Sequence, residues 1–290
     1  MTTRGHEIMV GYDGSAGGAE AVDWAVREAG LRGVSLTVCH AWAPGYSASS
    51  PGAADSVLPV AAAGAADPAR EHAEAVLALG VQQAQARDSA VAPRPLLVCG
   101  PAARMLCEQC AGAGMLVVGS RGLGGLPGLL LGSVSLQVAA YAPVPVTVVR
   151  GRWRPVPGHP PRPVVVGTDG SSASQAVLDF AAKEAVLGGV PLVAVCALSD
   201  TAGVLGAARS MEAEFIATIG KLRADHTEAF VQTRVEQGPP RSVLLEAASQ
   251  AQLLVVGARG RGGLPEMMLG SVSLAVLHHA PCPVTVVRSG

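Results

Sequence analysis

Two glycine-rich segments hold the residues best suited to chemistry. Gly119-Ser-Arg-Gly122-Leu-Gly-Gly-Leu-Pro-Gly-Leu-Leu-Leu-Gly132-Ser133 recurs as Gly257-Ala-Arg-Gly260-Arg-Gly-Gly-Leu-Pro-Glu-Met-Met-Leu-Gly270-Ser271, spaced G-x2-G-x9-G-S both times. Glycines let main-chain amides approach an anion closely, and Gly-Ser at a helix start supplies free N–H groups, the positive end of the helix dipole and a hydroxyl. That combination is a phosphate cradle. A second repeated segment, Asp13-Gly14-Ser15 with its copy Asp169-Gly170-Ser171, closes an apolar strand and opens a helix. Alone it reads as a turn and N-cap. Facing the glycine loop, in two copies, it adds a carboxylate to a ligand site.

Other chemistries find less support. The only lysines are Lys183 and Lys221, and neither lies in a G-x4-GK-(S/T) context. The first strand-to-helix turn has Gly11, Gly14 and Gly17, which is not G-x-G-x-x-G, and Ala173 replaces the last of them in the second copy. No G-x-S-x-G elbow and no HExxH occurs. His278 and His279 are adjacent on a helix, so their rings diverge, with one expected to pack and one to be exposed. His40 corresponds to Cys196, so an imidazole is not kept at that position. Cys107-Glu-Gln-Cys110 falls inside a helix, without a second pair, and with Cys39, Cys99, Cys196 and Cys282 reads as packed thiols.

The elements that position these residues are written twice. Val10-Gly-Tyr-Asp13 matches Val166-Gly-Thr-Asp169 at an offset of 156, whereas Ala142 to Arg150 matches Ala280 to Arg288 at 138. The first half therefore carries about 18 extra residues, placed in the Gly-, Ala-, Ser- and Pro-rich stretch 43–67 and expected as a long loop. Residues 1–150 form the first domain, 151–161 a proline-rich linker and 162–290 the second domain. Alternating apolar runs predict strands near 6–12, 34–41, 94–99, 115–118 and 144–149, with helices near 16–31, 68–87, 102–112 and 132–141. The second half repeats this with strands near 163–168, 190–197, 229–236, 253–256 and 283–287 and helices near 173–188, 203–225, 240–250 and 270–279. Each half is thus an α/β unit with a parallel sheet covered on both faces, its ligand beyond the carboxyl ends of the strands. The last strand of each half is apolar and belongs at a sheet edge, where the two can pair with each other.

Composition narrows the field. Of 290 residues 49 % are hydrophobic and 15 % charged, which argues for a buried core and against disorder. A net charge of −1 and only three each of Trp, Tyr and Phe leave little for a nucleic-acid surface, and Arg150-Gly-Arg152-Trp-Arg154 reads as solvated linker. No run of 18 apolar residues suggests a membrane span, and Met1-Thr-Thr-Arg-Gly-His-Glu leads into the first strand without a signal-peptide core, so a cytoplasmic location is expected.

Through the doubled G-x2-G-x9-G-S loop and the paired Asp-Gly-Ser turns, the chain resembles the universal stress protein family in its tandem form, and within it the ATP-binding branch. The resemblance implies two Rossmann-like domains, similar to adenine nucleotide alpha hydrolases, each a five-stranded parallel sheet of order 3-2-1-4-5 with ATP between the first and fourth strand ends. Asp13 and Asp169 would hold the ribose or adenine end, and backbone at Ala41 and Ala197 would touch adenine. Gly119 and Gly257 would lie near the ribose and Gly122 and Gly260 near the phosphates. Gly132, Ser133, Gly270 and Ser271 would clasp the phosphate tail, with amides from Val134 and Val272. The resemblance also implies a homodimer of this internal pseudo-dimer, and slow hydrolysis with Mg²⁺ in some members. The function expected is a nucleotide-dependent stress-response regulator. The alternatives are an ATP-hydrolysing enzyme of related fold and a nucleotide-free scaffold. Arg261 replaces Leu123 in the second loop, so the halves are expected to differ.

Overall fold

In a computed structural model the described residues are 7–44, 67–88, 90–124, 130–151, 154, 158–171, 174–198, 205–260 and 268–288. The inserted stretch therefore falls, from 45 to 66, outside them, as do Arg261 and the Leu-Pro pairs of both loops.

The apolar strands obey a period of two. In β1 (Glu7–Gly11), Ile8 and Val10 enter one buried layer and Met9 the other, and in β6 (Val164–Gly167) Val164 and Val166 part from Val165 in the same way. A strand buried on both faces needs helices on both, and fully burying one valine contributes roughly 1.5–3 kcal/mol. One layer is covered by α1 (Ala16–Arg32), α2 (Pro68–Arg87), α5 (Gln175–Leu187) and α6 (Leu205–Asp225). The other is covered by α3 (Ala102–Gln109), α4 (Ser133–Tyr141), α7 (Pro240–Ala248) and α8 (Ser271–His279). The first half adds β2 (Ser35–Trp42), β3 (Arg94–Cys99), β4 (Met115–Gly119) and β5 (Val146–Val149). The second adds β7 (Leu192–Leu198), β8 (Val231–Gln237), β9 (Leu253–Gly257) and β10 (Val284–Val287).

Strand order within each half is 3-2-1-4-5, and the halves join into one ten-stranded sheet, β3-β2-β1-β4-β5-β10-β9-β6-β7-β8. All described pairings are parallel except the seam, where β5 and β10 run antiparallel with Thr147 opposite Thr285. The two apolar edge strands thus cover each other. Both threonines are fully buried, and their hydroxyls lie 2.7 Å apart in a mutual hydrogen bond.

On the α1–α5 face the seam carries buried charge. Glu28 and Glu184, equivalent positions of the two halves, are both buried. Arg32 Nε donates to Glu28 at 2.7 Å, Arg32 Nη2 donates to Glu184, and the guanidinium lies 5.8 Å from the centre of the Phe180 ring. The position equivalent to Arg32 is Gly188, so one arginine serves both acids. Burial, then the neighbouring Glu28 charge, hold the Glu184 carboxyl well above the usual carboxylate range, with Arg32 and, less strongly, Arg27 opposing.

The linker is fastened at Arg154. Arg154 Nη2 donates to the buried Asp23 carboxylate at 2.7 Å, and the same carboxylate receives Arg87 and Gln83 from α2. Cys39, Cys110, Cys196 and Cys282 are buried as expected, but Cys99, the last residue of the outer strand β3, is exposed. No helix among the described residues is long and apolar enough to cross a membrane.

Candidate functional site

Parallel pairing of β1 with β4 brings the Asp-Gly-Ser turn beside the glycine loop. After β1 the chain turns through Asp13, whose Oδ1 accepts the Ser15 amide at 3.0 Å, and Ser15 then caps α1 by accepting the Gly18 amide at 3.0 Å. After β4 the loop crosses this turn. The Leu123 amide donates to Asp13 Oδ2 at 3.1 Å, and the Ser15 hydroxyl reaches the Arg121 carbonyl at 3.4 Å. Gly132 returns to the strand end by donating to the Ser120 carbonyl at 2.8 Å, and the Ser135 hydroxyl clamps the Gly119 carbonyl at 2.6 Å.

The first two glycines of the motif have a steric basis. A Cβ on Gly119 would stand 2.4 Å from the Gly17 main chain, and one on Gly122 would stand 2.3 Å from Asp13 Oδ2. Strand β4 therefore lies directly against the first turn of α1, and the loop lies directly on the carboxylate.

The second site is built alike but more loosely. Asp169 Oδ1 accepts the Ser171 amide at 3.0 Å and the Ser174 hydroxyl at 2.9 Å. Gly270 donates to the Ala258 carbonyl at 2.8 Å, and Ser273 donates to the Gly257 carbonyl at 2.6 Å. A Cβ on Gly260 would be 3.4 Å from Asp169 Oδ2, and one on Gly257 would meet nothing nearer than the Arg259 carbonyl at 3.1 Å.

Both loops end on a helix N-terminus that no side chain caps. Gly132 precedes α4 and Gly270 precedes α8, each in extended conformation and each without a capping hydrogen bond. The first-turn amides there, from Ser133 and Val134 and from Ser271 and Val272, stand at the positive end of the helix dipole. The structure thus gathers Asp13, Gly119, Gly122, Gly132, Ser133 and Val134 at one strand end, and their six equivalents at the other. Ala41 and Ala197 lie near the ends of the neighbouring strands β2 and β7, in register with Val98 and Glu236. His40 beside Ala41 is turned to β1, its Nδ1 2.7 Å from the Tyr12 carbonyl.

Sequence reasoning missed two residues here. Arg150, expected as solvated linker, is half-buried beside the first loop. Its Nη1 donates to the His278 carbonyl at 2.6 Å and its Nη2 to the Leu130 carbonyl. Burial and then the Arg121 charge lower its pKa, and Arg288 is lowered by burial and by Arg259. The signal that could have found them is the repeat itself, since both close the duplicated Ala-Pro-x-Pro-Val-Thr-Val-Val-Arg segment. His278 is half-buried and His279 exposed, as expected of an adjacent pair.

The family model described as "Universal stress protein family" matches residues 6–150 and again 161–288. The chain belongs to the universal stress protein family. A family member of Mycolicibacterium smegmatis is 38 % identical over 296 residues, covering 97 % of this chain and 96 % of that one. A universal stress protein of Mycobacterium tuberculosis is 34 % identical over 299 residues, covering 98 % and 97 %. The crystal structure of a universal stress protein from Archaeoglobus fulgidus superposes with a TM-score of 0.66 at 22 % identity, over 99 % of this chain and all of that one, which supports the tandem fold.

Proposed function

We propose that this universal stress protein binds ATP at both strand-end sites and acts as a nucleotide-dependent stress-response regulator. The observation that carries the reading is the pair of uncapped Gly-Ser helix starts, each reached by a loop folded onto the Asp-Gly-Ser turn. Amides at a helix N-terminus with no side-chain acceptor suit a phosphate. The Leu123 amide resting on the Asp13 carboxylate is consistent with a loop whose amides seek negative charge.

In this reading Asp13 and Asp169 receive the ribose or adenine end, the main chain at Ala41 and Ala197 meets the base, and the glycine loops follow the phosphates to Ser133 and Ser271. Mg²⁺ belongs to the proposal as an ion carried by the ATP phosphates, and among the described residues no three His, Cys, Asp or Glu groups stand close enough to hold a metal ion. Domains at 1–150 and 162–290 about the 151–161 linker, a homodimer and a cytoplasmic location belong to the same proposal.

Two measurements test it. Mass spectrometry of the denatured, freshly purified protein is expected to release ATP, and calorimetry of ligand-free protein is expected to give two ATP per chain. Gly122→Val drives a side chain into Asp13 and is expected to remove one site, and Gly260→Val the other. Protein that carries no ATP, takes none up and responds to neither substitution overturns the proposal.

A further inference from the structure

Among the described residues three buried side-chain nitrogens lack a hydrogen-bond partner: Arg150 Nε, Arg288 Nε and Arg288 Nη2. All three belong to one repeated position, the residue directly after the last strand of each half. Buried polar groups in folded proteins are almost always satisfied, and a guanidinium has no neutral form to fall back on. The position of the orphans is informative. Nε and Nη2 form the edge of a guanidinium that pairs with a carboxylate or phosphate through two parallel N–H···O bonds. In Arg288 the whole edge is open. In Arg150 Nε is open and Nη2 rests on a main-chain carbonyl.

Both arginines adjoin the glycine loops. The Ser120 amide donates to the Val149 carbonyl at 3.0 Å, and the Ala258 amide to the Val287 carbonyl at 2.8 Å, so Arg150 and Arg288 leave their strands beside the second residue of each loop. The carbonyl that Arg150 holds, that of Leu130, lies just before Gly132. Each also feels a second arginine of the loop, Arg121 for Arg150 and Arg259 for Arg288, which adds to the effect of burial, while a nearby thiol, Cys282 or Cys107, acts the other way. Each strand end therefore brings a guanidinium with unpartnered N–H groups beside an uncapped helix start, and in the first half Nη1 of that guanidinium rests on the last turn of α8 through the His278 carbonyl.

We propose that Arg150 and Arg288 are specificity residues for the ligand's polyphosphate, so that the sites take nucleoside di- and triphosphates in preference to monophosphates and cyclic monophosphates. The inference rests on the nucleotide reading above and adds to it the class of phosphate chain and the side chains that select it. A triphosphate brings several anionic oxygens to the open N–H groups of Arg150 and Arg288, and a cyclic monophosphate offers them a single charge and fewer oxygens.

The test compares ATP, ADP, AMP and cyclic AMP by calorimetry on the full chain, in the wild type, Arg150→Gln, Arg288→Gln and the double variant. The double variant is expected to lose at least tenfold in ATP affinity while AMP changes less than twofold, and the salt dependence of ATP binding is expected to flatten. Arg150→Gln also removes two carbonyl contacts. Thermal melting checks its fold, and Arg288→Gln, whose open edge has no partner to lose, carries the test if it unfolds. Equal weakening of ATP and AMP, or unchanged ATP affinity, overturns the assignment and leaves the nucleotide reading standing. Wild-type protein that binds none of the four overturns both.

Discussion

The same substitution at equivalent positions should have unequal effects. Gly119→Ala places a methyl 2.4 Å from the main-chain carbon and oxygen of Gly17 and 2.9 Å from the Gly18 amide. Ordinary carbon contacts lie near 3.5–4.0 Å, so a gap of about 1 Å must open. The atoms in the way are the backbone of the first turn of α1, which cannot rotate aside as a side chain would. Overpacking of this kind costs about 1–3 kcal/mol, offset by the 0.4–1 kcal/mol that losing a glycine typically saves in the unfolded chain. Gly257→Ala meets only the Arg259 carbonyl at 3.1 Å and a Val177 methyl at 3.4 Å, which a shift of a few tenths of an ångström accommodates. Urea unfolding followed by circular dichroism should show Gly119→Ala about 1–2 kcal/mol less stable than the wild type. At roughly 2–4 °C per kcal/mol its Tm should fall by several degrees, while Gly257→Ala stays within about 0.5 kcal/mol. Equal losses in the two variants, or a Gly119→Ala protein as stable as the wild type, would refute the argument that β4 and α1 touch through Gly119.

Two further outcomes follow from the seam. Because Glu184 holds its proton to a higher pH folded than unfolded, stability should fall as pH rises from the ordinary carboxylate range to the raised pKa, then level off. The neutral Glu184→Gln should flatten that slope in urea titrations across pH, and an unchanged slope would show that this carboxyl is not its source. Thr147→Val and Thr285→Val should each cost about 1–3 kcal/mol, the first by orphaning the Thr285 hydroxyl and the second by leaving the Thr147 hydroxyl only the weak Met115 Sδ acceptor at 3.5 Å, while the double variant should cost clearly less than their sum in a double-mutant cycle. Strict additivity would mean the hydroxyl pair contributes nothing.

Much of the architecture was legible because the forces behind it are local. Period-two apolar runs such as Val164 to Val166 mark strands buried on both faces, and the repeated loop, appearing twice at one spacing, marks the two strand ends where it folds onto an Asp-Gly-Ser turn. The parts that were not legible depend on docking. A glutamate on a helix is ordinarily solvated, so nothing in α1 or α5 marks Glu28 or Glu184 as buried until the halves meet over Arg32. Arg150 and Arg154 look like linker charges until their carbonyl and Asp23 partners are in place. Cys99 ends an apolar run, yet it belongs to an outer strand, and edge position is a property of topology. Strand order was anticipated through family resemblance, since alternation of elements constrains it only loosely.

The antiparallel join of β5 to β10 lies within one chain, so dilution cannot undo it. Two separate single-unit chains would form like-with-like pairs as readily as mixed ones, and their pairing would depend on concentration. Covalent continuity fixes the stoichiometry at one of each and supplies the partner at high effective concentration. Mutations can then accumulate on one side without breaking symmetry-matched contacts on the other. The single arginine bonded to two acids and the tighter packing of the first loop are places where the two halves already differ.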